Sequence, residues 1–322
     1  MAIEYGSYSP LDIFESKEYY NGENVVALNC ARYGIVYAIL DAAYTKIYIP
    51  FYMCPTVKQT LEMFMINYEE YHINDKFEPI NVTLKEHECI LLFNFCGVIS
   101  SDIFVNLVAK YKNVIIDNSQ AFFSAPILEV YNIYSCRKFI GVTDGCYVVK
   151  KGIRHEEEKY TEDYSSNRVH ILFSALEHGN NYSYEEYLNI ENGFADAGIK
   201  RMSVVTHSIL GQTNYDFIIE RRKANYDVIK KNFDYDGVSA TITADAKAVP
   251  MKYPLFVKNS QELRKKLIEK NIYIPFWWHG INETNSFESM LMSELLVLPI
   301  DQRYSVSDIE RMVEIIRSEM FV

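Results

Sequence analysis

The sequence predicts an α/β protein with a large, mostly parallel sheet followed by a smaller α+β unit. Short runs that are apolar throughout, such as Glu88–Cys96 (ECILLFNFC) and Asn113–Asp117 (NVIID), leave no face for water, as strands covered on both sides require. Single helical patterns separate such runs, which is the chain order of a parallel sheet with helices on both faces. With 322 residues, and about 150 residues per domain, two domains are the default.

Asn24–Leu28 reads as a strand leading into a helical pattern at Arg32–Ala42, and Lys46–Ile49 as the next strand. Pro55–Asn67 is helical, with Thr56 near its N-cap. After the Glu88–Cys96 strand comes a helix over Ser101–Tyr111, opened by Ser and Asp, then Asn113–Asp117, and later a strand at Gly145–Lys150. Lys151–Asn167 turns polar and charged and is the candidate for a mobile surface segment, with Glu156–Glu158 as a solvated face. Beyond it a helix is expected at Asn214–Asn232, a strand at Tyr253–Val257 and a helix at Ser260–Lys270. Strands at Ile272–Trp277 and Leu295–Pro299 and a helix at Ser307–Met320 complete the chain. Ser307 and Glu310 have capping-box spacing for that helix. The large domain is expected over residues 1–200 and the small one over 201–322.

Composition narrows the function. The chain is 49% hydrophobic and 23% charged, a globular balance rather than a disordered one. Forty-three acidic against 32 basic residues leave −11, which argues against nucleic acid or an anionic membrane as partner, though not against a local basic pocket. None of the six cysteines is spaced as CxxC and no histidine pair lies near them, so no metal site is expected. His155, His170 and His178 lack ligand spacing as well. MAIEYGSYSP has no basic region followed by an apolar core, and CILLFNFCGVIS is too short to span a bilayer. A soluble, cytoplasmic protein with reduced thiols is expected. The 26 tyrosines have no role legible in composition.

Three groups could carry chemistry. Asp117 ends an apolar strand, where ligands of open α/β sheets gather, and Asn118, Ser119 and Gln120 follow it. An Asp so placed serves more often as a turn or cap residue. Lys138 lies between apolar stretches with Arg137 beside it. Such a lysine can be a nucleophilic amine of depressed pKa, or it snorkels to a solvent edge. Together, a Schiff-base lysine and an acid for a pyridinium nitrogen are the two anchors that pyridoxal 5′-phosphate (PLP) needs. The third group is Asn29–Gly34, a strand–helix junction of small residues where backbone N–H groups could meet a phosphate, or simply a turn.

These segments resemble the DegT/DnrJ-type sugar aminotransferases, a family within fold type I of the PLP-dependent enzymes, from about residue 25 to the C-terminus. LNCARYGIVYAI resembles the family's LxSGRxAL segment, IPFYMCPTV its PAYTCPT segment and NFCGVISSD its HxFGxxxD segment. VIIDNSQAF is similar to VIEDxAQA, and YSCRKFIGVTDGCYVV to the lysine segment, with Asp144 and Gly145 six and seven positions after the lysine. KRMSVVTHSIL, IIERRKANY and LLVLPID resemble the YRMS, RRxxNY and LxLP segments. Order and approximate spacing carry the resemblance, rather than any one motif.

The resemblance implies a large PLP-binding domain and transfer of an amino group from an amino acid to a keto or aldehyde acceptor, such as a nucleotide-linked keto sugar. It also implies a homodimer with shared active sites. Lys138 would bind the cofactor covalently and move the proton, Asp117 would keep the pyridine nitrogen protonated, and Gln120 would contact the ring or its phenolic oxygen. Ala31 and Arg32, with Ser135, would meet the phosphate; Tyr52 would pack against the ring; Arg201 would reach toward a neighbouring subunit's site. There are departures. SFHxxK is SCRK here, so Ser135 stands three rather than five residues before the lysine and the histidine is missing. Ile199 replaces the usual asparagine and Cys30 the usual serine. Two other readings therefore stay open: a PLP enzyme of different carbanion chemistry, such as dehydration, and a PLP-fold protein that binds without turnover. The cluster Pro275–Gly280 (PFWWHG) either lines a substrate pocket, with Trp277 or Trp278 stacking on a sugar or base, or is a strand end packed between domains, the commoner role.

Overall fold

A computed structural model describes residues 5, 6, 8, 16–233, 244–278 and 286–320. Among these residues seven strands form the main sheet: β1 (Val25–Leu28), β2 (Lys46–Pro50), β3 (Asn67–Tyr71), β4 (Glu88–Phe93), β5 (Val114–Asp117), β6 (Tyr131–Ser135) and β7 (Cys146–Val149). Their order is β1-β7-β6-β5-β4-β2-β3. The run from β6 to β3 is parallel, while β7 is antiparallel to both β6 and β1. The sheet is thus mostly parallel, as its two-sided apolar strands require; every residue of β4 is buried.

Helices α1 (Ala31–Asp41), α2 (Pro55–Met63) and α3 (Ser101–Tyr111) follow β1, β2 and β4. Cys54 rather than Thr56 is the N-cap residue of α2, with Pro55 at the first helical position. That helix stops at Met63 because the chain turns through Met65 (φ 53°) into β3. No apolar run announces β3, a polar edge strand with only Tyr71 buried. The same holds for β6, where the buried Asn132 is satisfied by backbone: its Nδ2 donates to the carbonyls of Ile127 (2.9 Å) and Val130 (2.8 Å). β4 ends at Phe93, three residues earlier than expected, because Phe95–Gly97 forms a single helical turn.

Lys151–Asn167 is held in place rather than loose. Arg154 Nε donates to Asp41 Oδ1 (2.7 Å), His155 Nε2 meets the Glu23 carbonyl (2.7 Å), and Arg168 pairs with the buried Asp163 (2.7 Å). Beyond it come α4 (His170–His178), α5 (Tyr184–Gly193), α6 (Val204–Gly211) and α7 (Tyr215–Phe233). The buried Asp144 carboxylate fastens α6 to the main sheet. It accepts from Ser203 N (2.8 Å), Ser203 Oγ (2.7 Å) and Thr206 Oγ1.

The C-terminal part holds β8 (Lys252–Phe256), α8 (Ser260–Glu269), α9 (Ser286–Glu294), β9 (Leu295–Pro299) and α10 (Val306–Met320), with β8 and β9 antiparallel. α10 buries Ile309, Met312, Val313 and Ile316, one stripe of an amphipathic helix. Its reciprocal cap is two residues earlier than expected: Asp308 N donates to Ser305 Oγ (3.2 Å) and Ser305 N to Asp308 Oδ2 (2.9 Å). Ile272–Trp277 forms no strand; it runs as irregular chain with Ile272 and Ile274 buried in the core. His279 and Gly280 of the aromatic cluster lie outside the described residues. One core cluster joins Phe93 and Phe95 of the large sheet to Leu255, Leu267 and Ile309 of the C-terminal part. All six cysteines are free. No helix among the described residues is long and apolar enough to cross a membrane, and no metal-binding cluster occurs among them.

Candidate active site

The carboxyl ends of β1, β2, β4, β5 and β6 lie along one edge of the sheet, and the candidate groups gather there. Asp117 is the last residue of β5, paired in register with Phe93. Its Oδ1 accepts from Ser119 N (2.8 Å) and from the Ser119 hydroxyl, while Oδ2 has no partner among the described residues. Gln120, nearly fully buried, accepts at Oε1 from Cys96 N (2.7 Å), which ties it to the turn after β4.

Lys138 ends the single helical turn Cys136–Lys138 that follows β6. Its ammonium has no hydrogen bond or ion pair among the described residues, and the side chain is exposed. Lys138, Asp117 and Gln120 line one small cavity of about 30 Å³, together with Cys54, Asn94 and Trp278. Lys138 also lines a second, larger cavity of about 630 Å³. A half-buried acid oxygen and an exposed ammonium, both unpartnered among the described residues and on one cavity, can bind opposite ends of a polar ring.

The other sequence candidates are placed differently. Cys30, the residue before α1, makes no side-chain cap, and the N–H groups of Ala31 and Arg32 have no acceptor among the described residues. This helix start is an open anion cradle. Ser135 ends β6, paired with Cys146, which in turn pairs with Leu28 of β1. Ser135 thus lies beside the start of α1, near Arg137, whose NH1 is 3.9 Å from Cys30 Sγ. These residues do not line the small cavity. Tyr52 is wholly buried behind it, edge-on to Trp278 at 4.9 Å, and its neighbours Met53 and Cys54 form the wall. Arg201 bridges Leu28 and Glu162 through its backbone and lines neither cavity, with Nε buried and unpartnered among the described residues. Trp277 lines the larger cavity and packs against the core, but in irregular chain rather than at the end of a strand.

Sequence reasoning missed the residues that line the larger cavity from α7 and the C-terminal part: Arg222, Lys252, Asp301 and Arg303. Arg222 and Asp301 stand inside quoted motifs, but nothing in the sequence aims them at Lys138. Burial pulls the Arg222 guanidinium down to about 10. Burial also raises Asp301, yet the hydrogen bond and charge of Arg303 outweigh it and leave the carboxyl below its ordinary value. Lys252 is lowered by burial. Burial pushes the Cys96 thiol well up, against the pull of Lys252 and Lys138. Cys96 is therefore an inert neighbour rather than a thiolate.

This architecture defines a fold type I transferase fold. No protein-family model and no curated protein matches the chain. Solved structures match over most of it. The sugar aminotransferase CalS13 from Micromonospora echinospora aligns with a TM-score of 0.65 and 14% identity, over 92% of this chain and 87% of that one. A DegT DnrJ EryC1 StrS aminotransferase from Brucella abortus gives 0.63 and 12%, over 92% and 86%. The protein ntda from Bacillus subtilis, solved with bound cofactor PMP, gives 0.63 and 11%, over 92% and 73%. At such identities the likeness establishes the fold that the sequence motifs imply.

Proposed function

We propose that this protein is a PLP-dependent aminotransferase, moving an amino group from an amino acid to a keto or aldehyde acceptor, with a nucleotide-linked keto sugar as the acceptor class. One observation carries the reading: Lys138 and Asp117, each with an unpartnered charged atom, share a cavity at the carboxyl edge of a sheet whose structural neighbours include a PMP-bound enzyme. The residues present fit the cofactor. PLP supplies an electron sink that stabilises negative charge on the substrate carbon. Asp117 Oδ2 would hold a proton-bearing ring nitrogen, with Oδ1 fixed by Ser119 so that the carboxylate does not rotate. Gln120, braced on Cys96, would meet the ring's polar edge. Lys138 Nζ would hold the cofactor and then carry the proton. The free N–H groups of Ala31 and Arg32, with Ser135, would take the phosphate. A cytoplasmic homodimer, with Arg201 at the neighbouring site, completes the proposal.

Adding PLP to the purified protein should produce a visible absorption band, and borohydride reduction followed by peptide mapping should label Lys138. Glutamate or another amino acid should then convert the cofactor to its amine form. A colourless protein, or a label on a different lysine, refutes the site. A labelled Lys138 without amine formation would favour other carbanion chemistry or binding alone.

A further inference from the structure

Five cations line the larger cavity, Arg137, Lys138, Arg222, Lys252 and Arg303, against the two carboxylates Glu191 and Asp301. In a chain of net charge −11 this is a local positive basin. Three of the five are already satisfied. Arg137 pairs with Glu191, and Arg303 takes both Asp301 oxygens at 2.6 and 3.1 Å. Arg222 donates to the Met251 carbonyl (3.1 Å) and to Gln302 Oε1 (3.0 Å). Lys138 and Lys252 alone have no hydrogen bond or ion pair among the described residues.

The proposed cofactor would occupy Lys138; among the described residues no side chain pairs with Lys252. It opens β8, in register with Pro299 of β9, so a rigid two-stranded ribbon holds it. Asp301 acts on it through space but forms no ion pair with it. Both lysines line the same cavity. The Lys252 side chain is half-buried, lines the cavity and closes no ion pair among the described residues, so its charge is available to an anion there.

We propose that Lys252 anchors the anionic group of the substrate, a carboxylate or a phosphate, while the substrate's nitrogen or carbonyl carbon meets Lys138. The proposal rests on the reading of Lys138 as the cofactor lysine, and it makes Lys252 a specificity residue of that site.

Trp277 lies in the wall of the same cavity, and the chain has only two tryptophans, so intrinsic fluorescence reports on this site. The purified protein, without added PLP, is titrated with succinate and with inorganic phosphate, alongside Lys252→Met and Lys252→Arg. The expected result is saturable binding of at least one anion, weakened about tenfold or more in Lys252→Met and restored to within about threefold in Lys252→Arg. The preferred anion separates carboxylate from phosphate. This readout needs no turnover, so it stands even if the PLP reading fails. With turnover, Lys252→Met should raise KM for the amino donor or for the carbonyl acceptor with little change in kcat; the affected substrate is the one that carries the anion. Wild type binding neither anion, or Lys252→Met binding both as wild type does, overturns the proposal. So does a lowered Tm in Lys252→Met that Lys252→Arg restores, because Lys252 would then be a structural counter-charge to Asp301.

Discussion

Gly97 is a position where a single methyl group would be costly. It follows β4 in the turn that carries Cys96, and its φ of 72° lies in the left-handed region. A Cβ there would stand 2.8 Å from the Gln120 carbonyl oxygen and 3.3 Å from Pro250 Cα. Both are backbone atoms, so neither can swing aside. In Gly97→Ala the left-handed conformation costs about 1–2 kcal/mol, and displacing packed backbone about 1–3 kcal/mol more. The sum is about 2–5 kcal/mol. For a chain of 322 residues this corresponds to a Tm lower by about 3–7 °C. Circular dichroism melting curves measure it, with Gly141→Ala as the control. Gly141 has no atom within 4 Å of its would-be Cβ and should change by no more than about 0.5 kcal/mol. A Gly97→Ala protein that melts with wild type would refute the argument that this turn clamps Gln120 and the C-terminal part together.

Asp117→Ala should weaken PLP binding at least about tenfold in an absorbance titration while leaving Tm nearly unchanged, since its one intramolecular role is the Ser119 turn. Equal affinity would remove Asp117 from the site. Asp144→Ala strands the Ser203 and Thr206 donors at the start of α6 and should cost about 3–5 kcal/mol, read by urea unfolding. A loss under about 1 kcal/mol would contradict its role as the fastening of α6. Asp301 has a folded pKa below its ordinary 3.8, so its stabilisation is complete above that value and disappears as pH falls through the lower folded one. Stability measured below about pH 4 should therefore fall less steeply in Asp301→Asn than in wild type, and parallel curves would contradict the Arg303 pairing.

The tyrosine content acquires a structural meaning. Several buried rings end in hydroxyls that donate to carbonyls distant in the chain: Tyr33 to Phe194 (2.6 Å), Tyr37 to Arg154 (2.5 Å), Tyr71 to Leu91 (2.6 Å) and Tyr134 to Ser124 (2.9 Å). Each ring contributes apolar area and satisfies a carbonyl at the same place. Tyr33 therefore belongs to the packing of α1 against the segment before Arg201. The small cavity takes its aromatic surface from Phe93 and Trp278.

Periodicity and two-sided apolarity were enough to read β2, β4, β5, α1, α3 and α10, because burial on both faces of a sheet, or on one stripe of a helix, is a local property of the residue order. The same locality explains Asp117, whose place at a strand end is visible in VIID, and the Lys138 segment, whose relation to the following Gly145 is a matter of spacing. Edge strand β3 and the polar-cored β6 escaped because their stability comes from pairing with β2 and β5 rather than from their own pattern. The larger cavity was illegible for a stronger reason. Lys252 and Arg303 are dozens of residues from Lys138 and from Glu191, and whether a cation is satisfied or free depends on which carboxylate the fold puts within reach. Sequence by itself determined the sheet, its carboxyl edge and the candidate lysine and acid on it. Only tertiary structure decided which charges neutralise one another and which are left facing the cavity, because electrostatic pairing is set by distance in space, not along the chain.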